Sequence, residues 1–161
     1  MRFCGIDAST SSTGFAILDD GKLVFQTTIS LKNIKDQQTR INQMMVSLGH
    51  LIKEYNPDCL FVEDSWKAST EVTKLLSYII GAIMYICIAT NTGFNKLRPS
   101  SWRKAAGVEQ GKKKREELKK EAIERVKKEF NIDVGDDAAE AILIAKAAFI
   151  LTDEGRIFEE D

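Results

Sequence analysis

Three groups of acidic side chains stand where apolar runs end or begin. The run Met1 to Ile6 ends on Asp7, the run Cys59-Leu60-Phe61-Val62 ends on Glu63, and Asp136, Asp137 and Glu140 open the last long apolar stretch. Short apolar runs bounded by turn residues read as buried strands, so Asp7 and Glu63 are expected at strand ends. Asp137 and Glu140 differ by three and share one face of a helix, whereas Asp136 is turned about 100° away and suits an N-terminal cap. Singly, Asp7 ahead of Ala8-Ser9-Thr10 also reads as a turn cap, and Glu63 beside Asp64 as a solvated strand end. Jointly, carboxylates that converge repel one another and resist desolvation, and a cation is what stabilises such a cluster. Hard oxygen donors suit Mg²⁺ or Mn²⁺ better than zinc.

Positioning these acids requires a sheet. The pattern predicts strands over 2–7, 13–18, 22–30, 59–63 and 94–97, and helices over 36–55, 70–90, 99–106, 112–129 and 137–151. Asp20-Gly21 between two apolar-rich runs is a hairpin signal, Asn56-Pro57 stops the first helix, and Pro99 suits the first turn of a short one. The order βββαβαβα is an α/β layout: a mixed five-stranded sheet flanked by helices, antiparallel first and then joined through helical crossovers. With 161 residues, 43% of them hydrophobic, the chain is expected to form a single domain over 1–161. The three cysteines, Cys4, Cys59 and Cys87, sit far apart among apolar neighbours and read as reduced core thiols. No segment has a secretory pattern, and the apolar run 78–89 is short for a bilayer span, so it is expected as a buried helix of a cytoplasmic protein with no membrane partner.

A net charge of −1 conceals an uneven distribution. Residues 96–128 hold thirteen Lys or Arg against five Glu, a net of +8, which leaves −9 for the rest. Lys112, Lys113, Lys114 and Arg115 fall together at an expected helix start, where cations oppose the helix dipole and an anionic partner such as phosphate would offset the misfit. A solvated, salt-bridged face is the other reading. The one histidine, His50, lies in the first helix far from every acid, which gives a Ser-His or Cys-His mechanism little support.

Gly5-Ile6-Asp7-Ala8-Ser9-Thr10-Ser11-Ser12-Thr13-Gly14 resembles the first motif of RuvC-type Holliday junction resolvases, members of the RNase H-like nuclease superfamily. Val62-Glu63 resembles the second, and Asp137-Ala138-Ala139-Glu140-Ala141 with the following Ile142-Leu143-Ile144-Ala145 the last. Leu97-Arg98-Pro99-Ser100 and the basic stretch from Gly111 fall where the family has a similar segment. The likeness runs from Arg2 to about Phe149, and it resides in the order and spacing of motifs rather than in any one of them. It departs at Glu140, where the family usually has Asp. The resemblance implies an RNase H-like fold and metal-assisted phosphodiester hydrolysis by two Mg²⁺ or Mn²⁺ ions about 4 Å apart. Asp7 would bridge the ions, Glu63 hold one, and Asp137 with Glu140 the other. It further implies four-way and other branched DNA as substrate, contacts from Arg98 and Lys112 to Arg115, a bacterial or phage-infected host cell, and a homodimer matched to a two-fold junction.

Two aromatic features stay open at this level. Trp66, three residues past Glu63, falls where the family places an aromatic that stacks on a base at the junction centre, and reads equally as core; Trp102, behind Pro99 on a short amphipathic helix, reads as core. The expected helix 70–90 is apolar on nearly every face, which suits either a subunit interface, with Ile83 and Ile86 as candidate contacts, or complete burial within one chain. Other functions compatible with the pattern are a nuclease of flaps, forks or RNA, an actin-like nucleotide-binding protein lacking its second domain, and a non-catalytic DNA-binding module.

Overall fold

Asp20 and Gly21 both have positive φ, 45° and 77°, the geometry of a tight hairpin turn, and they fold the second and third strands together. The computed structural model describes residues 1–64, 69–108 and 111–153. In chain order the elements are β1 (Arg2–Asp7), β2 (Ser12–Asp19), β3 (Lys22–Ser30), α1 (Gln37–Tyr55), β4 (Cys59–Glu63), α2 (Thr70–Thr90), β5 (Gly93–Leu97), α3 (Pro99–Ala106), α4 (Arg115–Phe130) and α5 (Asp136–Asp153). The sheet order is β3-β2-β1-β4-β5, with β1 antiparallel to β2 and parallel to β4. This is the expected mixed five-stranded α/β sheet. Because β1 is central and parallel to β4, their C-terminal ends lie side by side, Ile6 opposite Val62.

Each face of the sheet has its own core. Ile6, Ile17 and Leu60 point to one side, where Met44 and Leu48 of α1 and Ile79 and Ile83 of α2 cover them. Phe3, Leu18 and Phe61 point to the other, against Ile142 and Ala145 of α5, with Trp102 of α3 and Val126 of α4 closing the outside. Helix α5 is therefore buried on almost every side from Ala138 to Ala148. It lies so close to the sheet that a side chain at Gly5 would meet the Ala141 carbonyl oxygen at 2.1 Å, and one at Gly14 the Asp137 carbonyl oxygen at 1.8 Å. Only glycine admits that approach.

Four expectations need correction. Helix α4 begins at Arg115, so Lys112, Lys113 and Lys114 precede it; Glu117 accepts the Lys114 backbone N–H at 2.7 Å and closes the helix start. The apolar run 78–89 belongs to a 21-residue helix that is, by length and composition alone, long and apolar enough to cross a membrane. Nor is it buried: within α2 only Ile79, Ile83 and Cys87 are covered, while Val72, Tyr78, Met84, Tyr85 and Ile88 are exposed. Complete burial within one chain is thus overturned, because the neighbouring α1 and sheet cover one stripe and leave the rest of the circumference to solvent. Ile83, 0% exposed, is a core residue rather than a contact for a second subunit.

Candidate active site

Asp7 is the last residue of β1 and pairs with Gly14, the residue on which the start of α5 rests. The turn between them is tied down by its own hydroxyls: buried Thr13 Oγ1 donates to the Ser9 carbonyl at 2.7 Å and accepts the Ser9 N–H at 3.0 Å. The close approach of α5 brings Asp137 and Glu140 to Asp7, and the parallel β1–β4 pairing brings Glu63 from the other side. All four expected acids converge.

Their electrostatics carry a deficit of positive charge. Burial, first of all, and then the neighbouring Glu140, Glu63 and Asp137 push the Asp7 carboxyl well above the ordinary aspartate range. Glu140, itself buried, is raised mainly by desolvation, and its carboxyl meets that of Asp7. The contact between the two carboxyls acts in opposite senses, adding to the rise at Asp7 and offsetting part of the rise at Glu140. The one described cation reaching two of these acids is Arg103, whose Nη2 lies 3.6 Å from Glu63 Oε2 and 4.0 Å from Glu140 Oε1. Among the described residues, no three acidic, cysteine or histidine side chains stand in ready-made coordination geometry. The donor set nevertheless fits divalent ions: hard oxygens, crowded, desolvated and short of countercharge.

Asp136 is settled differently. Its carboxylate accepts from Lys119 Nζ, which with the backbone N–H groups at the start of α5 holds it below the usual carboxylate range. That agrees with a helix-start role and leaves Asp137 and Glu140 as the pair facing Asp7. Three partners of the acids escape sequence reasoning. Ser12 Oγ donates to Asp137 Oδ2 across 125 residues of chain. Trp102, 0% exposed as a core residue should be, donates from Nε1 to Glu63 Oε2 at 2.7 Å. Arg103 stacks over the Trp102 ring at 4.7 Å from its centroid while reaching the two glutamates.

Of the basic candidates, Arg98, Lys112, Lys114 and Arg115 are exposed, and Arg98 precedes Pro99 at the start of α3. Lys113 is half-buried, with its ammonium 2.6 Å from Glu121 Oε2. Trp66 lies outside the described residues. His50 is exposed on α1, and all three cysteines are unpaired thiols, Cys4 and Cys87 within the core.

The sequence model of a family described as crossover junction endodeoxyribonuclease RuvC matches residues 3–147. A protein of that name from Herminiimonas arsenicoxydans is 27% identical over 149 residues, covering 90% of this chain and 81% of its own. One from Ralstonia pickettii is 30% identical over 89 residues, 52% of this chain and 49% of its own. Among solved structures, T. thermophilus RuvC in complex with a Holliday junction substrate has a similar fold, with a TM-score of 0.80 at 14% identity over 97% of each chain. So does the fowlpox virus resolvase in complex with substrate Holliday junction DNA, with a TM-score of 0.63 at 17% identity over 92% of this chain and 97% of that one.

Proposed function

Since this chain belongs to the RuvC family of crossover junction endodeoxyribonucleases and is an endonuclease that hydrolyses DNA, we propose that it resolves four-way junctions by Mg²⁺-dependent paired incision. The observation that carries this reading is the convergence of Asp7, Glu63, Asp137 and Glu140 at one edge of the sheet without enough positive charge to balance them. Asp7, central among the four, would be shared between two ions; Glu63 would hold one of them, and Asp137 with Glu140 the other. Mg²⁺ or Mn²⁺ bound there would supply an activated water and stabilise the leaving 3′ oxygen. The longer Glu140 side chain reaches from one turn up α5, and Ser12 keeps Asp137 oriented.

Arg98, Lys112, Lys114 and Arg115 present exposed cations at the surface and would contact the phosphates of the branched DNA. Trp66, three residues beyond Glu63, would stack on a base as the junction centre is unpaired. The exposed apolar face of α2 would be the contact of a homodimer that presents two such sites to a two-fold junction. A cytoplasmic location in a bacterial or phage-infected cell suits this work.

The test is cleavage of end-labelled four-way junction, fork, flap and duplex DNA, and of an RNA hairpin, with Mg²⁺ and with chelator. Symmetric cuts near the junction centre that require the ion are expected. Cutting that persists under chelation, or that favours flaps or RNA, would overturn the reading.

A further inference from the structure

We propose that Trp102 is a positioning residue of the active site, one that sets its affinity for divalent ions by fixing both Glu63 and the cation beside it; this rests on the metal reading of the four acids given above. Trp102 fills the core beneath α3 and is wholly inaccessible. Packing alone does not ask for a polar atom there, because the buried cluster that Trp102 shares with Phe61, Leu97, Ala106 and Ile142 is apolar and rewards apolar area only. What the indole adds is one polar atom, and that atom is used. Nε1–H donates to Glu63 Oε2 at 2.7 Å, a bond from a wholly buried ring to a partly buried carboxyl.

The bond has a directional consequence. An indole has a single donor and Glu63 two acceptor oxygens, so Oε2 is held and the other oxygen is not engaged by the indole. The face of the same ring carries the Arg103 guanidinium, 4.7 Å from the centroid, at the place where it stands between Glu63 and Glu140. One buried side chain therefore orients a carboxylate and its countercharge together. The partners that orient metal-ligating carboxylates govern affinity strongly, with losses on the order of 10- to 100-fold when they are removed.

The experiment compares Mn²⁺ binding, read by the paramagnetic resonance of the unbound ion, in the unmodified chain, Trp102→Phe and Asp7→Asn. Phenylalanine keeps a ring in the core while it deletes the donor and part of the ring face beneath Arg103. Expected is a loss of affinity on the order of 10- to 100-fold in Trp102→Phe, with junction binding in Ca²⁺ unchanged and with cleavage restored to within a few-fold at saturating Mn²⁺. A folded Trp102→Phe that binds Mn²⁺ as the unmodified chain does overturns the inference. If Asp7→Asn loses the ion while Trp102→Phe keeps it, only the inference falls; if Asp7→Asn also keeps it, the metal reading falls first. A second measurement leaves the core intact. The chain has two tryptophans, so Trp66→Phe isolates Trp102, whose Nε1–H resonance is expected to exchange slowly with solvent and to move on adding Mg²⁺. An indole proton that ignores Mg²⁺ in a chain that binds it overturns the proposal even if Trp102→Phe fails to fold.

Discussion

Asp7 is held in surroundings that disfavour its own charge, a cost that the proposed ion would offset. Burial, and then Glu140, Glu63 and Asp137, raise the Asp7 carboxyl well above the ordinary aspartate range, so its charged form is disfavoured until a cation stands beside it. Asp7→Asn supplies a permanently neutral side chain of the same shape. Cleavage should fall on the order of 10³-fold or more, the several kcal/mol a bridging ligand contributes, while junction binding in Ca²⁺ persists through the basic surface. The same substitution should make the ion-free chain more stable. Asp7 and Glu140 are both raised in the folded state, so that state binds protons more tightly than the unfolded chain; stability grows as the pH falls through the raised values and is complete at the unfolded carboxylate value of about 4. Thermal melts without metal should show Tm rising from pH 8 towards pH 5 in the unmodified chain and a flatter profile in Asp7→Asn. A parallel profile in the two chains would show that Asp7 carries no such burden.

At the scale of elements, the site depends on how near α5 comes to the sheet. The Asp137 carbonyl sits where a Gly14 side chain would be, so Gly14→Ala sets a methyl group against backbone and must lift the N-terminal turn of α5, the turn that carries Asp137 and leads to Glu140. A loss of about 1 to 3 kcal/mol, read as a lower urea midpoint, is expected, and cleavage by the remaining folded protein should drop further still. The ends of β1 and β4 and the start of α5 were legible in the sequence, because apolar runs stopping on acids report both the element and its edge. The glycines that admit α5 sat in plain view as parts of a motif, but their purpose needs the register, Gly14 beside Asp7. The partners of the acids were illegible for a related reason: Ser12 and Asp137 are 125 residues apart, and Trp102 and Arg103 lie in a stretch read for its core and its charge. Local pattern gives a side chain's face, not its long-range partner. The basic segment ahead of α4 divides in the same way. Lys112→Glu and Lys114→Glu should each lower the slope of log Kd against log salt by about one unit, whereas Lys113→Glu should fall short because its charge is already shared with Glu121. Equal slopes across all three would return the run to a solvated face.

For the whole molecule, α2 poses a problem that one copy of the chain does not resolve. Its covered stripe of Ile79, Ile83 and Cys87 fixes it to α1 and the sheet, and its opposite side offers Tyr85 at 72% and Ile88 at 78% exposure beside Tyr78 and Met84. Twenty-one residues of helix span about 30 Å, enough for a self-complementary contact of ordinary size when two copies meet across a two-fold axis. The sequence showed the excess of apolar surface but placed contacts at Ile83, because composition does not say which stripe the sheet takes. The discriminating substitutions are therefore Tyr85→Glu and Ile88→Glu, which put charge on the outer face and leave the core alone, with Ile83→Glu as the contrast. Sedimentation at micromolar concentration should give a dimer for the unmodified chain, folded monomers for the first two, and an unfolded or aggregated product for the third, where a charge is buried without a partner. The functional consequence is visible on a supercoiled plasmid bearing a cruciform. A dimer places two sites on one junction and cuts both strands before it dissociates, which gives linear product, whereas a monomer cuts once and relaxes the cruciform, which gives nicked circles. Tyr85→Glu and Ile88→Glu should thus move the product from linear to nicked while each retains metal-dependent cutting. A monomeric unmodified chain, or one whose α2 face carries it onto lipid vesicles with no self-association, would assign that face to a membrane surface instead and leave paired incision without its structural basis.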